Sequence, residues 1–298
     1  MKRYLCAALC VLAAYLFILG PFTRSMAKKP YVVKLGTIPH PAVLQVLFPD
    51  YQEFIGANIL GRIILYYGTL TDDLDHPGKV QLVFDYPAMS RALHAALRLD
   101  PYNMDGYYFG QSILVWDVGQ YHLATELLEY GMRYRTWDWQ LPFFAAFNQA
   151  YFQKDRAAAA RLYMRAGELS GETLFKSLAG RYLQEAGETQ MAIDYLQTLV
   201  TNARTPAVKQ ALQVRIETFK AVLTIEQARD RYAEEHGWFP ANIDVLLKTG
   251  YLATRPIDLY GGKFYLDENG KIGTTSKFAF AGLRRAAVDD SPVPSSDK

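Results

Sequence analysis

The sequence predicts a mostly α fold: a solenoid of helical hairpins over residues 57–204, closed by a long helix and followed by a small α+β module with a β-hairpin. Three observations predict it. The first is a recurring small-x-aromatic-x-x-small signature. Its clearest copy is Gly119-Gln-Tyr121-His-Leu-Ala124; Phe84-Asp-Tyr86-Pro-Ala-Met89 precedes it, and Asp155-Arg-Ala157-Ala-Ala-Ala160 and Gly187-Glu-Thr189-Gln-Met-Ala192 follow. The last positions of these copies are 35, 36 and 32 residues apart. Self-similarity at such a period marks stacked helical pairs, because one hairpin cannot bury its apolar face alone. The second observation is the helical recurrence i, i+3, i+4, i+7 inside each copy. The third is the change of composition after residue 236, where turn residues and short alternating runs replace helical periods.

The chain opens with a basic Met1-Lys2-Arg3, an uncharged apolar run over residues 4–20 and small residues at Ser25-Met26-Ala27. That is the layout of an export signal. The run is long for a signal and short beside the roughly 20 residues of a membrane span. Two expectations stay open for residues 1–27: a cleaved signal, leaving a soluble periplasmic protein, or an uncleaved anchor in the inner membrane through residues 4–20. Both place the remainder in the envelope. Cys6 and Cys10, the only cysteines, lie in this leader, so the rest of the chain has no disulfide and no thiolate ligand.

Residues 28–56 read as an extended and then helical approach. Pro39 and Pro41 keep the chain extended before a short apolar helix around 42–48. The run 54–68 is apolar on nearly every side, reads as a helix ending at Gly68, and is expected to be buried or to face a membrane or partner. Residues 69–81, with Asp72, Asp73, Asp75 and His76, read as a loop.

In the central hairpin the first helix carries Tyr107, Gly110, Ile113 and Leu114 and ends at Gly119, where a residue free to take positive φ stops a helix cheaply. The second helix carries Tyr121, Ala124, Leu127, Leu128 and Gly131. Arg98-Leu99-Asp100-Pro101-Tyr102-Asn103 separates this hairpin from the one before it.

Ala95, Ala96, Leu97, Leu99-Asp100-Pro101 and Gly119-x-Tyr121-x-x-Ala124 resemble the tetratricopeptide repeat family. The resemblance implies a right-handed α-solenoid whose first helices line a peptide-binding groove. Pro41-Ala-Val43-Leu44, Tyr66-Tyr67-Gly68 and Leu99-Asp100-Pro101 are similar to the pattern of a group of exported tetratricopeptide proteins with no assigned activity. The groove candidates are Tyr107, Tyr108, Gln111, Asn148, Tyr151, Arg181 and Gln184, polar or aromatic residues that interrupt an apolar stripe. Between the second and third hairpins, Trp137, Trp139, Phe143 and Phe147 crowd together, with Arg133 and Arg135 just before them. This cluster is either a plug between hairpins or a stacking surface for glycan or peptide.

Residues 205–236 read as one helix capping the last hairpin, with Leu212, Ile216, Phe219, Val222 and Ile225 on its apolar stripe. In residues 237–285, Asn242 is placed to cap a short helix over 243–248, and Asp267-Glu-Asn269-Gly270 marks a hairpin turn. Tyr232, Gly237, Pro240, Leu246-Leu247, Gly250-Tyr251-Leu252 and Pro256-Ile-Asp258-Leu259-Tyr260-Gly261-Gly262 resemble the C-terminal part of type II secretion pseudopilins. Leu259 stands where that pattern has proline, and Tyr260 where it has tryptophan; the leader is not pilin-like. This resemblance raises a calcium loop with Asp258, Asp267 and Asn269 as its oxygens, which the hairpin turn explains equally without an ion. Residues 286–298 read as a disordered tail.

Without residues 1–29, which hold Lys2, Arg3, Arg24, Lys28 and Lys29, the 32 basic and 30 acidic residues shift to 27 against 30, a net −3, which leaves no basic field for nucleic acid. No phosphate loop, no His-Glu-x-x-His and no Gly-x-Ser-x-Gly occurs. The expectation is a non-enzymatic scaffold without cofactor or resident metal, binding a protein partner of the cell envelope. The alternative is a glycan-binding or polysaccharide-export accessory factor using the aromatic cluster.

Overall fold

A computed structural model describes the backbone of residues 2–28, 35–71, 85–203 and 205–276, and the side chains of these apart from residues 2–9, 27 and 69–71. The expected tail at 286–298 and most of the expected loop, residues 72–81, lie outside the described residues. The protein is mostly α, built of successive packed helix pairs with a small antiparallel hairpin near the C-terminus. Its contacts divide it into two compact units, residues 1–136 and 137–298.

In the first unit, α1 (Lys2–Ala27) spans the residues read as an export leader. Its apolar side chains from Cys10 to Phe22, including Val11, Leu16, Phe17 and Ile18, are exposed, Phe17 at 82%. Among the described residues no helix is long and apolar enough to cross a membrane. α2 (Pro41–Leu47) begins at a proline, capped by the His40 ring, which accepts from the Ala42 amide. A 3-10 turn (Pro49–Tyr51) leads into α3 (Gln52–Thr71). This helix runs on through Gly68, where the sequence reading ended it: the glycine stays helical, so the first residues of the expected loop are helix. Ile59, Leu60, Ile63 and Tyr66 bury one face of α3 against α4 (Tyr86–Leu99).

The Asp85 carboxylate accepts from the Ala88 amide and caps α4. The next pair is α5 (Met104–Ser112) and α6 (Tyr121–Tyr134). Asn103 caps α5 through the Gly106 amide, and the buried Tyr107 hydroxyl donates to the Pro101 carbonyl at 3.0 Å. α5 widens into a π segment (Ile113–Asp117) and ends at Gly119, φ +68°. Gly110 allows three helices to meet: a Cβ there would lie 2.3 Å from Leu93 Cδ2 and 2.8 Å from Leu127 Cδ2. Tyr67 Oη donates to Asp117 at 2.9 Å, and burial with that bond pushes the phenol up to about 12.

The second unit repeats the plan. α7 (Gln140–Phe147) widens into a π segment (Asn148–Gln153) and pairs with α8 (Arg156–Ser170), capped by Asp155. α9 (Thr173–Glu185) pairs with α10 (Thr189–Thr201) across Gly187, φ +88°. Gly180 brings α9 against Leu196 of α10, whose side chain a Cβ would meet at 2.7 Å. α11 (Pro206–His236) packs on α10; Thr205 caps its start, and Gly237, φ +82°, ends it. Asn242 caps α12 (Ile243–Lys248).

β1 (Phe264–Leu266) pairs antiparallel with β2 (Ile272–Thr274), Phe264 opposite Thr274 and Leu266 opposite Ile272. One core runs through these elements: Ala160, Leu183, Ile193 and Leu196 from the hairpins, Leu212, Ile216, Phe219, Val222 and Ile225 from α11, and Ile243, Leu246, Phe264 and Ile272 from the C-terminal part. The segments that the sequence separates at 204/205 and 236/237 therefore share their interior.

Candidate functional site

The proposed groove residues divide by burial. Tyr107, Gln111, Asn148 and Gln184 are buried, Asn148 at 1% exposure. Gln184 nonetheless borders a cleft at the turn between α9 and α10, whereas Tyr107, Gln111 and Asn148 do not line an open groove, which corrects the reading of those three. They face inward because polar groups on the first helix of a pair also meet its packed neighbours, and spacing alone does not separate the two faces. Tyr108 and Tyr151 are exposed. The Tyr151 ring lies parallel to Phe147 at 5.6 Å, with Lys154 Nζ 5.1 Å from its centre. Arg181 is half-buried and bonds Glu185 at 2.7 Å; Arg156 meets the other oxygen of Glu185 at 3.2 Å.

The aromatic cluster also divides. Trp139 and Phe143 pack on Phe175, with ring centres 5.3 and 5.0 Å away, and form part of a core with Tyr163 and Ala179. Trp137 is 59% exposed.

Two clefts collect polar groups. The first, about 430 Å³ in the second unit, opens where the turn between α9 and α10 meets α11 and the hairpin. Gln184, Glu188, Thr189, Glu226, Arg229, Asn269 and Lys271 line it. Lys271 Nζ donates to the Glu185 carbonyl and Arg229 Nη1 to the Gly270 carbonyl, both at 2.8 Å, so the hairpin is tied to both helices. Inside, Thr189 Oγ1 donates to Glu226 Oε1 at 2.8 Å. Burial raises the Glu226 carboxyl above its ordinary range, against the opposing pull of the Thr189 bond and the Arg229 charge. The arrangement offers a polar ligand an acid that holds its proton readily, with amides and two fixed cations around it. Sequence reasoning missed Glu226, although there was a signal: it stands where the stripe Leu212, Ile216, Phe219, Leu223 would continue with an apolar residue.

The second cleft, about 500 Å³ in the first unit, lies between residues 36–41 and α4. Gly36, φ +72°, turns the chain over the helix, and Arg62 Nη2 holds this turn by donating to the Leu35 carbonyl at 2.8 Å. Pro39 and Pro41 stiffen the wall. Arg91, His94 and Arg98 of α4 and His40 supply the nitrogen-bearing lining, with the Ser90 and Thr37 hydroxyls and an apolar floor of Ile38, Ala88, Ala92 and Ala95.

The calcium candidates are engaged in the hairpin. Asp258 is buried and accepts from the Tyr260 amide at 2.8 Å, from Ser276 Oγ at 2.6 Å and from Thr274 Oγ1. Asp267 Oδ1 accepts from the Asn269 and Lys271 amides at 3.0 and 2.7 Å. Among the described residues no group of three or more His, Cys, Asp or Glu is arranged to hold a metal ion. A scan against protein-family models finds no match to this chain, and neither does a comparison with curated proteins.

Proposed function

We propose that this chain is a non-enzymatic scaffold of the cell envelope, exported by its leader, that grips a protein partner of a secretion, pilus or surface-assembly machine through an apolar face. One observation carries the reading. From α2 to the first turn of α3, Val43, Val46, Leu47, Phe48, Tyr51 and Phe54 are all exposed, Val46 at 80% and Phe54 at 71%. Single exposed apolar side chains are ordinary, but a concentration of six within twelve residues is the mark of an interaction surface. The tetratricopeptide-like period and the leader support the same reading, and so does the resemblance of residues 232–262 to secretion pseudopilins.

The test is affinity capture from detergent-solubilised envelopes, comparing wild type with Val46→Asp/Phe54→Asp. The expected result is one or more assembly-machine components held by wild type and lost by the variant, with both chains giving the same circular dichroism melt. Identical recovery by the two would overturn the reading. A second reading, a glycan-binding accessory, rests on the exposed Trp137. It predicts retention on envelope polysaccharide that is lost in Trp137→Ala. Trp139→Ala is unsuited to that test, since Trp139 packs on Phe175 and its loss would act through folding.

A further inference from the structure

We propose that the cleft between residues 36–41 and α4 is a binding site for a phosphate ester with an apolar body. The argument begins with the lining. Arg91 and Arg98 stand two turns apart on α4, with His94 between them and His40 across the gap. Among the described residues no carboxylate lines the cleft, and neither arginine is in an ion pair with a described residue. A cationic hollow without its own counter-charge favours an anion.

The imidazoles are oriented by the backbone. His40 Nδ1 accepts from the Ala42 amide at 3.3 Å, which puts its proton on Nε2. His94 Nδ1 lies 2.7 Å from the Ser90 carbonyl, to which it donates, leaving Nε2 as the ring's remaining polar atom. Two guanidiniums and the Ser90 hydroxyl come from the α4 wall, and the His40 imidazole N–H and the Thr37 hydroxyl from the wall opposite. That suits a tetrahedral phosphoryl group better than a planar carboxylate, which one guanidinium fork would satisfy. The cleft is far larger than an inorganic phosphate needs, and the space beyond the cations is floored by Ile38, Pro39, Ala88, Ala92 and Ala95. The ligand's remainder is therefore apolar.

Arg98 also borders the adjoining groove, where Glu126, Glu129, Tyr130 and Arg133 lie, and its charge acts on the Tyr130 hydroxyl. Arg91 is thus the main anchor and Arg98 the second. The phosphate ester has two sources, a lipid headgroup or a soluble metabolite, and the site chemistry is common to both. The inference is independent of the scaffold reading, whose exposed side chains at 43–54 do not line this cleft.

The experiment is calorimetric titration of the full-length chain in neutral detergent with phenyl phosphate, with inorganic phosphate and with benzyl alcohol. Phenyl phosphate is expected to bind saturably, inorganic phosphate more weakly, and benzyl alcohol not at all. Arg91→Ala should weaken phenyl phosphate about tenfold, the scale of one charge-assisted bond. Arg91→Ala/Arg98→Ala should abolish binding, and Arg91→Lys should restore part of it. Competition by phosphatidylcholine vesicles containing phosphatidic acid, and not by phosphatidylcholine alone, assigns the lipid source; failure of both vesicles to compete assigns the soluble one. Absence of saturable phenyl phosphate binding, or binding unchanged in the double variant, would overturn the proposal. Both arginines are exposed, so the variants keep the fold, which an unchanged melting temperature checks.

Discussion

Asn148 carries a side-chain amide whose nitrogen and oxygen are both buried without a hydrogen-bond partner. An amide kept from water in this way costs about 1–3 kcal/mol. Leucine has the same number and branching of side-chain heavy atoms and no polar atom. Asn148→Leu is therefore expected to raise the free energy of unfolding by about 1–2 kcal/mol, read from urea denaturation monitored by circular dichroism. Glu226 makes a second prediction at this scale. Its folded carboxyl titrates above the unfolded value because burial disfavours the charge. The stability it contributes is thus fully present below the unfolded pKa and is lost as pH rises through the raised folded value. Glu226→Gln keeps an acceptor for Thr189 Oγ1 and removes the ionisation. The variant should melt higher than wild type near pH 8, and the gap should close toward about pH 4. A gap independent of pH would show that ionisation is not its cause.

Paired glycines test the packing of the elements. A Cβ at Gly110 would run into Leu93 and Leu127, whereas one at Gly61 meets nothing within 4 Å. Alanine is the better helix former at both positions, by about 1 kcal/mol. Gly61→Ala should then stabilise by about 0.5–1 kcal/mol, while Gly110→Ala should destabilise by about 1–3 kcal/mol, because overpacking outweighs propensity. Thermal melts of the two variants measure the difference.

Helices with strong periods and clear ends were legible in the sequence. Gly119, Gly187 and Gly237 stop or turn the chain with positive φ, and Asn242 caps where expected. The π segments at Ile113–Asp117 and Asn148–Gln153 were not legible, since one residue of extra winding leaves no mark in composition. The continuation of α3 past Gly68 was missed because glycine is read as a stop when nothing nearby says otherwise. Of the groove, spacing identified residues that break an apolar stripe without telling inward from outward. Tyr107 and Asn148 break the stripe yet are interior, and the cleft lined by His40 and Arg91 joins segments about fifty residues apart that no local pattern links.

At the scale of the whole molecule, the chain forms two units that each carry an interior of their own. In the second unit, two clusters of buried residues lie wholly within residues 137–276. Residues 137–276 expressed alone are expected to give a helical far-ultraviolet spectrum and one cooperative thermal transition; a gradual, non-cooperative loss of signal would contradict this. Within that unit α11 touches α9, α10, α12 and β2. Arg215 donates to Tyr260 Oη at 2.9 Å and to the Ser177 carbonyl at 3.0 Å, so one guanidinium clasps the C-terminal part and α9 together. A rod wedged into two sockets transmits force between them. Anything that pulls on the terminal β-ribbon loads the last repeat through this shaft, and a truncation meant to shave off the ribbon would leave the shaft half bare and the repeats beneath it slack.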